Sequence, residues 1–174
     1  PFFFRDEDHL RAAVATGSPM RNILDAAVLE ETGAKVLWWQ AFGRNVYLSN
    51  GSAIRTPADL KDQKVRTYGK VIGWTVEALG GAPTLMSGSK QFLAYQRGTV
   101  DIGMTGVSGV VSRKLWEVMD AITVVNNADI EFIVVINEDV WEGLTEEQRT
   151  ELCELGKRIC AHVNYECAGP AEFL

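Results

Sequence analysis

The residue of this sequence best placed to bind a ligand is Arg66. It lies in a short predicted strand, KVRTYG (64–69), and is followed by a glycine-bearing loop and a helix predicted to begin near Ile72. A guanidinium held there would be partly desolvated and would need an anion, because an unpaired buried charge is costly. Its planar fork matches a carboxylate through two parallel hydrogen bonds. The position predicts a carboxylate site, while an internal ion pair or a solvent-directed side chain stays open as the alternative.

Two further polar side chains are candidates for ligand contacts. Arg44 follows Gly43 between two predicted strands, residues 35–42 and 44–50, where a side chain can reach a cleft. An exposed hairpin arginine is the alternative there. Thr105 lies with Ser108 in the small-residue loop MTGVSG, where hydroxyl and backbone N–H groups can bind an oxyanion. A plain tight loop explains those small residues equally well.

Aromatic residues near Arg66 are candidates for the wall of a pocket. Tyr68 is two residues further along, and Trp74 lies in the helix that follows. Such side chains are more often part of a core than of a pocket. Asp101, in GTVDIG (98–103), is interpreted instead as a structural carboxylate that hydrogen-bonds the turn after the preceding helix.

Signals for an enzyme or a metal site are poor in this sequence. His9 and His162 are its two histidines, and neither is placed as a general base. The three cysteines follow one another at seven-residue intervals in one predicted helix, too far apart to bridge, and are interpreted as buried apolar positions. No nucleophile elbow, phosphate loop or metal-binding spacing is present. We therefore predict no catalytic residue, no metal and no cofactor.

Composition excludes several classes of partner. The chain has 174 residues, 47% hydrophobic and 23% charged, as in an ordinary globular domain. Its net charge of −6 and the lack of a basic cluster argue against nucleic acid. No apolar run approaches the ~20 residues of a membrane span, so direct membrane insertion is not expected. A small anion remains compatible, since one well-placed arginine outweighs a diffuse negative surface.

Helical and strand patterns alternate along the chain, which predicts an α/β fold with a mainly parallel sheet. Residues 19–32 have helical spacing between Pro19 and Gly33, and residues 121–137 are rich in β-branched residues, as in two strands or one long one. VSRKLWEVMD (111–120) and a segment from Thr145 to about residue 168 are predicted helices. Ligands bind beyond the carboxyl ends of strands, which indicates the ends of KVRTYG, TLMS and VDIGMTG.

Several segments together resemble the DctP-type extracytoplasmic solute-binding proteins of TRAP transporters. The segments follow the family's order along nearly the whole chain: PFFFRD (1–6), GR (43–44), RTPADLKDQKVRTYG (55–69), ALGGAPTLMS (78–87), AYQRGTVDIG (94–103), SRKLWEVMDAIT (112–123) and VVINEDVWEGLTEEQR (134–149). The segment at 55–69 resembles the family signature PxDLKGxKIRvp. The joint order is more specific than any single segment.

The resemblance implies a periplasmic binding protein type II-like fold, in which two lobes close around an organic anion. It implies that Arg66 clamps the carboxylate and that Arg44 is a second arginine contact. The implied partners are a small organic acid and the membrane permease subunits of a TRAP transporter, and the implied location is the periplasm. Residues 1–174 would then be a partial domain, with most of the first lobe and the C-terminal hinge region outside it. A binding lobe of another importer or of a sensor is the alternative, and an enzyme acting on a carboxylate is a remote one.

The sequence departs from the family pattern at two places near the expected ligand. Many members have Gln-Glu-Asn-Pro after the VDG motif, where this chain has Met104, Thr105, Gly106 and Val107. Many have an aromatic residue where this chain has Gly88. These departures predict a differently shaped pocket, with Met104 and Thr105 as candidate contacts.

Overall fold

The computed structural model describes residues 3–162, apart from the side chains of residues 7, 41–43, 126 and 160–162. The helices are α1 (Glu7–Val14), α2 (Pro19–Thr32), α3 (Lys70–Ala78), α4 (Gln91–Gln96), α5 (Val107–Ser112), α6 (Glu138–Glu142) and α7 (Glu146–His162). The strands are β1 (Ala34–Ser49), β2 (Lys64–Thr67), β3 (Ala82–Leu85), β4 (Gly103–Gly106) and β5 (Ala121–Asn137). Short 3-10 turns cover Pro57–Leu60, Gly88–Lys90 and Leu115–Glu117.

The chain forms two compact units. Among the described residues, the mid-chain unit comprises Phe3 and Phe42–Ile130, and the terminal unit comprises Phe4–Ala41 and residues 131–162. The chain passes from one unit to the other within β1 and within β5.

Strand pairing in the mid-chain unit is mixed. β2 and β3 run parallel, with Arg66 opposite Thr84, whereas β1 and β4 run antiparallel, with Val46 opposite Thr105. β4, β1 and β5 lie in this order in a three-stranded sheet. The predicted α/β class agrees with these elements, but the prediction of a mainly parallel sheet is wrong for the β1–β4 pair. The parallel pair, β2 and β3, consists of consecutive strands joined by the crossover helix α3, whereas β1 and β4 are not consecutive strands.

Two apolar clusters surround β1 in the mid-chain unit because successive strand residues point to opposite faces. Val46 and Leu48 pack in one cluster with the buried residues of 94–119, and Tyr47 packs in the other with those of β2, α3 and β4. Full burial of a Val or Leu side chain contributes about 1.5–3 kcal/mol. These clusters therefore hold β2 and β4 in place.

The terminal unit has its own core, formed by α1, β1, α6 and α7. Its buried members are Leu10, Val14, Leu37, Trp38, Trp141 and Cys153. Cys153 is a free cysteine, which agrees with its interpretation as a buried apolar position. The side chain of Cys160 and all of Cys167 lie outside the described residues.

Local signals determine the ends of several helices as predicted. In α2 the Ser18 side chain accepts a hydrogen bond from the backbone N–H of Arg21, and Gly33 ends the helix at φ 65° with its N–H on the Leu29 carbonyl. α7 begins with the predicted capping box, in which Thr145 and Gln148 bond each other's backbone N–H.

Other predicted elements differ from the structure. Residues 34–49 form one strand, so the predicted break at Gly43 and Arg44 is wrong; the β-branched and aromatic residues on both sides sustain one continuous strand. The predicted loop at MTGVSG is the end of β4 and the start of α5. The predicted helix over residues 111–120 is also wrong, since α5 ends at Ser112 and Lys114 adopts φ 51°.

Candidate anion-binding site at Arg66

Arg66 lies in the middle of the mid-chain unit, on a strand held from both sides. β2 pairs with β3, and the backbone N–H of Arg66 donates to the Ile102 carbonyl at 2.9 Å. The neighbouring residues Val65 and Thr67 are buried, and the Arg66 side chain itself is only 4% exposed. The pairing on both sides leaves the guanidinium little freedom of position.

Backbone carbonyls of two other segments hold the Arg66 guanidinium. Nε and Nη2 donate to the Met86 carbonyl at 3.2 and 2.9 Å, and Nη1 donates to the Met104 carbonyl at 2.6 Å. Three of the five guanidinium N–H groups are thereby used, which leaves one on each terminal nitrogen. The ends of KVRTYG and TLMS and the segment VDIGMTG, singled out from the sequence, therefore meet at one side chain.

The charge of Arg66 has no acidic counterpart in the part of the chain that the structure describes. No carboxylate there lies within ion-pair distance of it, so the alternative of an internal ion pair is not observed. Burial lowers the pKa of the guanidinium, and the nearby charge of Arg113 acts in the same direction. The ordinary pKa of arginine is above about 12, so the side chain remains a cation at neutral pH.

The ring of Tyr68 packs against the Arg66 guanidinium. The Arg66 Cζ lies 5.2 Å from the centre of its ring, which is the distance range of a cation–π interaction. The Tyr68 hydroxyl donates to Asn45 Oδ1 at 3.4 Å, and Asn45 in turn donates to Asn127 Oδ1 at 2.8 Å. Burial raises the pKa of Tyr68 to about 12, so the phenol stays neutral at physiological pH. This buried amide pair orients the ring against the cation.

Met104 and Thr105 reach the site through β4. The Met104 side chain is fully buried in the core, and its carbonyl oxygen is the group that contacts Arg66. Thr105 is 2% exposed, and its Oγ1 accepts a hydrogen bond from Arg113 Nη1 at 3.4 Å. Neither residue presents an open side chain in a loop, and a ligand contact by either remains a prediction.

Arg44 and Trp74 are placed differently from expectation. Arg44 lies within β1 and forms an ion pair with Asp129, with Nε 3.5 Å from Oδ1. Trp74 is 55% exposed on α3, where Lys70 Nζ lies 5.2 Å from its ring centre. In the described part of the chain neither side chain bonds to or stacks on the Arg66 guanidinium. A ligand contact by either remains a prediction.

Two residues that the sequence reasoning did not select lie at the site. Arg113, just after α5, packs its guanidinium over Gly88, so that a β-carbon at Gly88 would lie 2.6 Å from Nη2. The Tyr95 hydroxyl donates to Gln91 Oε1 at 2.7 Å, and burial raises the pKa of Tyr95 far above its usual range. The sequence signal for Arg113 is indirect: Gly88 stands where many family members have an aromatic residue, which leaves space there. The signal for Tyr95 is only that it is aromatic.

Asp101 has the structural role expected of it, with a different partner. Its Oδ2 accepts a hydrogen bond from the backbone N–H of Lys64 at 2.8 Å, which ties the start of β2 to the segment before β4. Within residues 3–162 no cluster of His, Cys, Asp and Glu has the arrangement of a metal site. Over the same range, no helix combines the length and apolar character of a membrane span.

Comparisons with known proteins identify relatives of this chain. The C4-dicarboxylate-binding periplasmic protein DctP of Rhodobacter capsulatus is 28% identical over 153 residues, which is 87% of this chain and 45% of the relative. The 2,3-diketo-L-gulonate-binding periplasmic protein YiaO of Escherichia coli (strain K12) is 30% identical over 151 residues, 84% of this chain and 44% of the relative.

The solved structures include the same fold. A TRAP periplasmic solute-binding protein from Sulfurospirillum deleyianum with bound succinate superposes with a TM-score of 0.83 and 26% identity, over 91% of this chain and 50% of that one. The predicted α/β, periplasmic binding protein type II-like fold is thus confirmed. The chain spans about half the length of the relatives and structures it matches.

A family model agrees with these similarities. The model of bacterial extracellular solute-binding proteins, family 7, named DctP, matches residues 1–166 of the 174. The match covers nearly the whole chain, including every residue of the site at Arg66. The chain therefore belongs to the DctP family of bacterial extracellular solute-binding proteins.

Proposed function

We propose that this chain carries the carboxylate clamp of a periplasmic protein that captures a small organic acid and delivers it to a TRAP-type membrane permease. The observation that supports this most directly is the buried guanidinium of Arg66, which bonds two backbone carbonyls and no acid among the described residues. An organic anion supplies the missing charge.

The clamp works through the two N–H groups of Arg66 that the carbonyls leave unused. One remains on each terminal nitrogen, and a carboxylate with two oxygens accepts both in a fork. The carbonyls of Met86 and Met104 hold the plane of the guanidinium before the ligand arrives. Binding then costs little side-chain entropy at Arg66, since the donor is already oriented.

The ligands named for the relatives support a carboxylate. C4-dicarboxylates, 2,3-diketo-L-gulonate and succinate, which appear in the names of three related proteins, all carry at least one carboxylate group. A clamp that binds only the carboxylate group can accept all of these acids, because the rest of each molecule is bound by other contacts. The side chains around Arg66 then select among organic acids.

Capture in this proposal is reversible and involves no covalent step. The ligand contacts favour a closed arrangement of the two lobes of the complete binding protein, and release to the permease follows reopening. Two relatives are named as periplasmic proteins, which supports the same location for this one. The family is one of solute-binding proteins, so we infer that the chain performs no catalysis.

The test is calorimetric titration of the intact protein with a panel of C3 to C6 mono- and dicarboxylic acids. We expect at least one acid to bind, and Arg66→Ala to abolish its binding. Arg97→Ala serves as the matched control, because Arg97 is an exposed arginine after α4 and outside the site. Equal affinity in wild type and Arg66→Ala would refute the clamp. Copurification with a different class of membrane partner would refute delivery to a TRAP-type permease.

A further inference from the structure

A cavity of about 460 Å³ lies in the terminal unit, between α2 and the start of β1. This volume is in the range of sites that bind small molecules. Ala26, Leu29 and Val36 provide apolar side chains to its lining, and Arg21 and Lys35 provide cationic ones. The walls therefore offer positive charge and apolar surface to the same ligand.

Arg21 is buried in this lining, 3% exposed, and is held in one orientation. Its Nε lies 3.2 Å from Asp25 Oδ2, and its Nη1 donates to Thr16 Oγ1 at 3.0 Å. The other Asp25 oxygen accepts the indole N–H of Trp39 at 2.8 Å, so the carboxylate that holds Arg21 is itself fixed. Nη2 has two N–H groups, and neither has an acceptor among the described residues. These two donors are available to a molecule in the cavity.

The lining has more positive than negative charge. Arg21 and Lys35 are its cations, and Asp25, which pairs with Arg21, is its carboxylate among the described residues. Lys35 has no acidic side chain within ion-pair distance in that part of the chain, and its Nζ lies 5.7 Å from the centre of the Trp141 ring. One positive charge is therefore left over, and a concave, partly desolvated wall strengthens its attraction for an anion.

We propose that this cavity is a second binding site, which takes a small organic anion with one negative charge and a short apolar chain. The oxygens of the anion accept hydrogen bonds from Arg21 Nη2 and Lys35 Nζ, and its chain packs against Leu29 and Val36. One negative charge matches the charge that the lining leaves over. The residues of this site belong to the terminal unit, so it is separate from the proposed clamp at Arg66.

The test uses the indole N–H signal of Trp39 in nuclear magnetic resonance spectra of the intact protein. Trp39 bonds the carboxylate that holds Arg21, so an anion at Arg21 changes this signal, which Trp39→Phe identifies among the five tryptophans. The probes are butyrate, its neutral isostere butyramide, and formate, which lacks the chain. We expect butyrate to shift the signal saturably, with a Kd about 10-fold or more below that of butyramide and about fivefold or more below that of formate. Arg66→Ala should give the same response, which separates this site from the clamp.

Three variants test the two cations. Lys35→Gln removes the charge and should raise the Kd of butyrate about fivefold or more, with that of butyramide nearly unchanged. Arg21→Lys keeps its charge, but Asp25 and Thr16 use two of its three N–H groups, so butyrate should bind about 10-fold more weakly. Lys157→Gln is the matched control for Lys35→Gln, because Lys157 is a half-exposed lysine of the same unit outside the cavity, and it should bind butyrate like wild type.

Three outcomes overturn the proposal. The Trp39 signal does not respond to butyrate up to about 50 mM, butyramide or formate binds as tightly as butyrate, or Lys35→Gln binds butyrate like wild type. None of these results touches the clamp, since calorimetry of Arg66→Ala tests that site independently.

Discussion

Replacing Arg66 by lysine tests the geometry of the clamp while it preserves the charge. A lysine ammonium has three N–H groups, and the carbonyls of Met86 and Met104 require two of them. One N–H then remains for the ligand, where Arg66 offers two. A hydrogen bond to a charged group contributes about 1.5–3 kcal/mol. Its loss predicts a Kd that is about 10- to 150-fold higher.

The same substitution makes binding sensitive to pH. Burial lowers the pKa of the residue at this position, since it disfavours the charged form of a base. Arginine starts above about 12 and stays charged, whereas lysine starts near 10.4 and loses its proton at a lower pH than an exposed lysine. As the pH rises from neutrality, the cation of Arg66→Lys disappears. Its Kd should therefore rise with pH, while the Kd of wild type stays flat.

The measurement is isothermal titration with the best-bound acid, repeated between about pH 7 and pH 9.5. This range lies below the intrinsic lysine pKa and reveals both the higher Kd of Arg66→Lys and its dependence on pH. Arg97→Lys is the matched control and should bind like wild type at every pH, because Arg97 is exposed and lies outside the site. A Kd of Arg66→Lys within threefold of wild type would show that a point charge suffices. The argument for a two-bond clamp would then be wrong, even if the charge itself proved essential.

Three further predictions concern the supports of the site. Gly103→Ala places a β-carbon 2.7 Å from the Tyr95 hydroxyl and should lower the free energy of unfolding by about 1–3 kcal/mol in urea titrations. Asn127→Ala removes the acceptor that lies 2.8 Å from the buried Asn45 amide and should cost about 1–3 kcal/mol in the same assay. Tyr68 has its pKa raised by burial to about 12, so its contribution to stability, complete below about pH 10, should be lost as pH rises toward 12. The loss should be smaller in Tyr68→Phe, which keeps only the contributions of the other buried tyrosines, Tyr47 and Tyr95.

Gly73→Ala is the control for the predicted effect of Gly103→Ala. In Gly73→Ala the new β-carbon would lie 3.8 Å from Pro83 Cβ, an ordinary contact, within the helix α3. This variant should gain about 0.5–1 kcal/mol, because alanine is the better helix former. An unchanged unfolding midpoint for Gly103→Ala would mean that Tyr95 does not pack against Gly103 as described.

Local signals made some elements predictable from the sequence. Helix α2 has the predicted bounds because Pro19 suits a first helical turn and Gly33 adopts the left-handed conformation that ends a helix. Arg66 was singled out because a strand followed by a loop and a helix is readable from neighbouring residues. The capping box at Thr145 belongs to the same class of short-range signals.

Elements that depend on distant partners were not predictable in this way. Gly43 was interpreted as a break between strands, yet β1 continues through it in the three-stranded sheet. Arg113 lies in a predicted helix that the structure does not contain, and its guanidinium packs over Gly88, which is distant in the sequence. No pattern within the 111–120 segment indicates which distant residue it packs against.

In the proposed clamp, the way Arg66 is held leaves its positive charge available to a ligand. An aspartate or glutamate partner would also fix the guanidinium, but it would neutralise the charge and compete with the incoming carboxylate. Carbonyl oxygens fix the geometry with partial charges only, so the net positive charge survives burial. That arrangement is unfavourable in isolation, because an uncompensated buried cation is poorly solvated. A carboxylate that neutralises this charge should therefore bind more strongly than its hydrogen bonds alone would provide. For the same reason, a substitution that places an aspartate or glutamate beside Met86 or Met104 should weaken ligand binding even if the fold is intact.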